Sequence, residues 1–306
     1  MWMLEERKGV KMGGKFSPSE NGLAEKVTFL SKAPFVLNTG GQAIPSAAPG
    51  PAPAPGGQPK LDPNFSTEFE REKAAFFSKI GVNVANPTQQ HKASWGSSLS
   101  LKAATLISEA TLEANRWIDL TLPQLPTTGS SGTLNLSPCI DTALLTHFKT
   151  GTNAEKIKAI VSIKDFLNKV KSNQYGINSG KVTYVAGGFL CGSGDMGYTG
   201  QNVKTETHLC PDLWAEVFQE YPQVTTAART LIHEGLHRVA WWQFGVIAGI
   251  WGTDIPEGEP GYTTISFAKS LENADSYAAF ARDAANCAAA MTSATPAPSV
   301  GGTPSP

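Results

Sequence analysis

The short run His233-Glu234-Gly235-Leu236-His237 carries the residues best placed to do chemistry together. Side chains four apart on a helix leave from one face, so the imidazoles of His233 and His237 can converge on a single metal ion. Glu234 stands beside the first imidazole, where it reaches a water on the metal and not the metal itself. Zinc held by neutral nitrogens brings such a water toward a pKa of roughly 7, and a neighbouring carboxylate removes its proton during attack on a carbonyl. The pattern predicts a hydrolase centre with Zn2+ as cofactor.

The elements that must hold this pattern are mostly helical. Ala228, Leu231, Ile232, Leu236, Val239 and Ala240 recur at helical spacing around the motif, with Thr225 and Thr226 as candidate caps. Helices are expected at Phe65 to Ile80, Leu99 to Leu120, Leu144 to Phe148, Ala154 to Lys171, Pro211 to Gln219 and Ser270 to Ala290. The stripe of the second is read as Leu101, Ala104, Leu106, Ile107, Ala110, Leu112, Ala114 and Trp117. Lys181 to Ala186 and Val203 to Leu209 read as strands. The glycine-rich run from Gly187 lacks the lysine of a phosphate loop and reads as the turn of a hairpin. Trp241, Trp242, Phe244, Ile247 and Trp251 form an apolar wall after the motif, read as core.

The chain has 306 residues, 41% of them hydrophobic, and proline and alanine gather at its two ends. Residues 1–62 read as a Pro/Ala/Gly-rich disordered tail with apolar patches at Val27 to Leu30 and Phe35 to Leu37. Residues 63–292 read as the folded domain, and 293–306 as a second disordered tail. A net charge of −1 argues against nucleic acid or membrane partners held by bulk charge. The charged N-terminus lacks a signal-like apolar core, and the readings are export or injection by a non-classical route, with machinery contacting the tail, a mature form of an exported protein, or a cytoplasmic protein. Cys139, Cys191, Cys210 and Cys287 fit no zinc ribbon. A Cys191–Cys210 bridge across the glycine-rich run and four buried thiols are the two readings.

A catalytic zinc takes three protein ligands. No histidine follows His237, and the nearest acids are Asp254, Glu257 and Glu259 in Gly252-Thr-Asp-Ile-Pro-Glu-Gly-Glu-Pro-Gly-Tyr262, with Asp275 beyond. His-Glu-x-x-His, then Gly-Thr-Asp with a following tyrosine, then Asn273-Ala-Asp-Ser-Tyr277, with Thr207-His-Leu-Cys-Pro211 upstream, resembles the aspzincins: deuterolysin and the peptidyl-Lys metalloendopeptidases. The resemblance covers about residues 97 to 290. It implies an α+β zincin-like fold, mostly helical with a small sheet whose edge receives substrate. It further implies His233, His237 and Asp254 as zinc ligands, Glu234 as general base and Tyr262 as oxyanion donor. Asp275 would orient a ligand or line the substrate pocket. The chain departs from the family in having Asp254 directly after Thr253 and Tyr262 eight residues later. In the lysine-specific members, acids line the pocket for the lysine. Here only Asp275 is available and Ala278 stands three residues on, so lysine specificity is not expected. The function expected is a zinc endopeptidase acting on protein or peptide, as a delivered effector or toxin. The rivals are a non-catalytic zinc docking domain of a secretion particle and a zinc amidase.

Overall fold

The computed structural model describes residues 59–79, 99–126, 134–188, 191, 195–199, 205–217, 224–244 and 254–293, all within the unit Pro45–Pro306. The patches at 27–30 and 35–37, Ile247, Trp251, Thr253 and the side chains of Trp241, Trp242 and Phe244 lie outside what is described. In chain order the elements are β1 (Lys60–Leu61), α1 (Phe65–Lys79), α2 (Leu99–Thr121), α3 (Pro138–Phe148), α4 (Asn153–Ser172), β2 (Thr183–Ala186), β3 (Gly197–Tyr198), β4 (Glu206–Leu209), α5 (Pro211–Val217), α6 (Val224–Phe244), α7 (Pro260–Thr264), α8 (Phe267–Ser270) and α9 (Ala274–Ser293). This is an α+β, zincin-like fold with a small four-stranded sheet. No described helix is long and apolar enough to cross a membrane.

Helix α6, which carries the His-Glu-x-x-His run, lies at the centre, packed along α2, with α4, α5 and α9 also against it. Its buried Ala228, Leu231, Ile232, Leu236 and Val239 supply the apolar side. Thr225 and Thr226 fall inside its first turn and are not the cap. Gly235 has a steric reason: a Cβ there would meet Ile177 Cγ2 and Val170 Cγ1 at 3.2 Å each, so α4 and the turn after it approach as closely as they do only because the side chain is missing. On α2 the buried apolar residues are Ala103, Leu106, Ile107, Ala110, Ala114, Trp117 and Ile118. Leu101 and Leu112, expected in the stripe, face outward. Helical spacing puts them nearly opposite the centre of that row, and an apolar residue on a helix surface needs no partner. Ser137 caps α3 with Pro138 in the first turn, and a Thr152/Glu155 capping box starts α4, which fixes both starts ahead of where hydrophobic periodicity alone would begin them.

The sheet order is β1-β2-β4-β3. β2 and β4 run parallel, so the glycine-rich stretch between them is a crossover and not the predicted hairpin turn. The hairpin is β3 with β4, with Gly197 opposite Leu209 and Tyr198 opposite His208. β1 pairs in parallel with β2, so Lys60 and Leu61, assigned to the tail from sequence, are part of the sheet. Arg238, fully buried, ties sheet to helix, its guanidinium donating to Tyr175 O at 2.8 Å and to Thr207 Oγ1. Disulfides join Cys191 to Cys210, at the end of β4, and Cys139 on α3 to Cys287 on α9.

Candidate metal centre

His233 and His237 project from α6 with their Nε2 atoms 3.0 Å apart. Asp254 Oδ2 lies 2.8 Å from the nitrogen of His237 and 3.4 Å from that of His233. Four ligands at about 2.0–2.1 Å around a tetrahedral ion would lie roughly 3.3–3.4 Å from one another. A triangle with edges of 2.8 to 3.4 Å therefore closes on zinc with shifts of a few tenths of an ångström. Two imidazoles and a carboxylate are also the donor types zinc takes. The residues fit the metal.

The third donor is held from behind. Ala274 N–H, at the first position of α9, donates to Asp254 Oδ1 at 3.2 Å, so one oxygen rests on a helix N-terminus while the other faces the histidines. Asn273 clamps the same loop from both sides: its Oδ1 accepts from Ile255 N at 3.1 Å and its Nδ2 donates to Ile255 O at 3.0 Å. Burial opposes ionisation of Asp254, but the two histidines outweigh it and hold the carboxyl far below the usual carboxylate range. Burial likewise disfavours a charged His233, yet Asp254 and Asp275 raise its pKa well above the ordinary histidine value.

Asp275 sits behind the ligands. Its Oδ1 is 3.6 Å from His233 Nδ1, an ion-pair and not a hydrogen-bond distance, while Oδ2 takes Arg229 Nη2 and Glu257 N–H. Burial works against its charge, but His233 and Arg229 prevail and bring its pKa down to about 2. Expected to orient a ligand or to line the substrate pocket, Asp275 has its carboxylate engaged by Arg229, Glu257 N–H and His233, and it also lines the cleft. The alternative ligands point elsewhere: Glu257 is paired with Arg282 at 2.8 and 2.9 Å and with Arg229 at 3.1 Å, and Glu259 is exposed at the start of α7.

Glu234 is 3% exposed and its Oε2 accepts from Thr199 Oγ1 at 2.9 Å. Thr199 follows β3, which crosses directly over α6. A Cβ on Gly197 would meet His208 O at 2.9 Å, Thr230 Cγ2 at 3.3 Å and Glu234 Cγ at 3.5 Å, so only glycine permits that crossing. A cleft of about 450 Å³ opens here between residues 195–199 on one wall and Pro256, Glu257 and Asp275 on the other, with the donors and Glu234 at its floor.

Tyr262 is not among the residues that line this cleft. It is buried, its hydroxyl 2.8 Å from His147 Nδ1, and the far nitrogen of His147 is 2.8 Å from Asp283 Oδ2. Burial, with Asp275 and Glu257 nearby, pushes the phenol pKa up. The physical reason is the long connection: Pro260 starts a separate short helix, α7, that turns the ring into the packing between α3 and α9. The tyrosine in the cleft wall is Tyr198, stacked on His208 with ring centroids 4.4 Å apart. Sequence reasoning missed Tyr198, Thr199 and Arg229. Only Arg229, four residues before His233, carried a positional signal.

The model of the aspzincin family, described as lysine-specific metallo-endopeptidase, matches residues 141–282, a stretch that holds His233, Glu234, His237, Asp254, Tyr262 and Asp275. No curated protein matches the chain.

Proposed function

We propose that the chain, whose residues 141–282 match the model of the aspzincin family of zinc-dependent metallopeptidases, is an endopeptidase whose zinc would be held by His233, His237 and Asp254, with Glu234 as general base. The observation that carries this is the convergence of three donors beside a buried carboxylate on the floor of an open cleft. When bound, zinc supplies a Lewis acid that lowers the pKa of water and polarises a carbonyl. The residues supply the rest. Glu234 takes a proton from the attacking water and returns it to the leaving amine. Thr199 holds one carboxylate oxygen and thereby aims the other. Asp254 is fixed by α9 and Asn273, and His233 is backed by Asp275, so the donors are arranged before any ion arrives.

The cleft favours a peptide over a small amide. Among the described residues β3 is an edge strand of the sheet, bonded to β4 alone, and its residues form one wall. An extended peptide can pair with that edge and lay its scissile bond over the donors. A docking module without turnover would have no use for a glutamate buried and hydrogen-bonded next to the ligands. All four cysteines are paired, which supports work in an oxidising compartment and hence an exported protein. Delivery as an effector, with the N-terminal segment read by export machinery, is the extension we propose from the composition of that segment.

The test is mass-spectrometric mapping of cuts in a complex peptide mixture by the zinc-loaded chain. Cuts that disappear with Glu234→Gln, with zinc content unchanged, support the reading. Stoichiometric zinc in both proteins and cuts by neither would overturn it.

A further inference from the structure

The acidic wall of the cleft already contains a cation. Arg229 lies one helical turn before His233 on α6 and, from the floor of the cleft, meets the wall that carries Asp275 and Glu257. One end of its guanidinium meets Asp275 Oδ2, and Nη1 is 3.1 Å from Glu257 Oε2. Asp275 is only 7% exposed, and a carboxylate so buried must be matched by a positive group. The chain matches it from within, using a residue that cannot shed its charge. Glu257 is neutralised a second time by the bidentate contact from Arg282. Among the described residues of this wall both acids are thus engaged, and an incoming ammonium group would meet the guanidinium first; Asp195 lines the facing wall.

We propose that Arg229 is a built-in occupant of this pocket, taking the place between Asp275 and Glu257 that a substrate lysine would take, and that the chain therefore accepts an uncharged side chain there. Met196 and Pro256 at the same cleft suit an apolar or small polar group. The inference rests on the peptidase reading for the source of that side chain, though the pocket can be tested without turnover. A further consequence follows for positioning: Arg229 holds Asp275, and Asp275 backs His233, so pocket and metal site share one carboxylate.

The experiment has two arms. In the first, cut sites are mapped for the zinc-loaded wild type, Arg229→Gln and Arg229→Lys. Lysine next to the cut should occur at its background frequency in the wild type and Arg229→Lys. It should be enriched about tenfold in Arg229→Gln, the enrichment corresponding to roughly 1.4 kcal/mol. In the second, Nα-acetyl-lysine amide is titrated by NMR into Glu234→Gln and into Glu234→Gln/Arg229→Gln. Binding should appear only in the double variant, and guanidinium ion should compete for it. A wild type that already selects lysine, or an opened pocket that gains neither enrichment nor binding, overturns the proposal. If nothing cuts but the double variant binds the amide, the peptidase reading fails and the pocket assignment stands.

Discussion

Two clusters of histidine and carboxylate lie close to α9, and they share residue types but not purpose. In one, His233, His237 and Asp254 bring their donor atoms within 4.8 Å of each other; in the other, His147, Glu257 and Asp283 do the same. The second holds its own counter-ion. Arg282 grips Glu257 through two nitrogens and meets Asp283 at 2.7 Å, and His147 spends both ring nitrogens, on Tyr262 and Asp283. Its carboxylates are matched by Arg282 from within, and Glu257 also reaches out of the cluster to Arg229 at 3.1 Å. In the first cluster two imidazole nitrogens face one another at 3.0 Å beside a carboxylate, and among the described residues no lysine or arginine is paired with Asp254. Proximity of ligand types is thus common to a strut and a metal centre. The difference lies in whether an arginine has been built in among the donors.

The sharpest break between the two is zinc itself. His237→Ala should abolish stoichiometric zinc, whereas His147→Ala should keep it and lose folding stability instead, because Tyr262 and Asp283 are left without their partner. Metal content by mass spectrometry and a thermal melt on the same samples decide this. Equal zinc loss in both variants would erase the distinction. Next in size is Asp275→Asn. It leaves the ligands in place but weakens the support of His233, so zinc affinity should fall about 10- to 100-fold, read by competition with a chelator.

How far these clusters could be read in the chain depends on how local their signals are. His233, Glu234 and His237 were legible because four-residue spacing on a helix is a complete geometric statement. Asp254 came only through family resemblance, since what aims it is the start of α9 twenty residues later. Tyr262 is the reverse case: the resemblance gives it a role, while the longer loop and Pro260 set its hydroxyl against His147, and kinetics decide between the two. The parallel pairing of β2 and β4 left no trace in a glycine-rich run that reads as a turn. β1, two residues long beside a proline-rich stretch, has too few side chains for any alternation to show.

If Tyr262 belongs to the strut, Tyr262→Phe should cost about 1 kcal/mol of stability for the lost hydrogen bond and change kcat less than threefold. Urea unfolding and steady-state kinetics measure the two effects separately. A hundredfold drop in kcat without destabilisation would move the residue into the metal centre's chemistry and restore the role the family resemblance gives it.

The smallest effect is in acid. Asp283 is opposed in its charge by burial, but His147 and Arg282 bring its pKa from the ordinary 3.8 to about 2. A carboxyl depressed on folding stabilises the folded state above its unfolded pKa, and that contribution drains away as pH falls through the folded value. Its side chain is 36% exposed, so solvent screening leaves roughly 1 kcal/mol of it. Asp283→Asn should therefore be less stable than the wild type by about that much at pH 6, with the gap closing between pH 4 and pH 2. Asp275, with its pKa also near 2, remains in both proteins, so the wild type and the variant should share one residual acid slope and differ by one proton. Urea midpoints taken across that range give the answer. A gap that stays constant with pH would mean that the closed cluster is held by packing and not by the charge of Asp283.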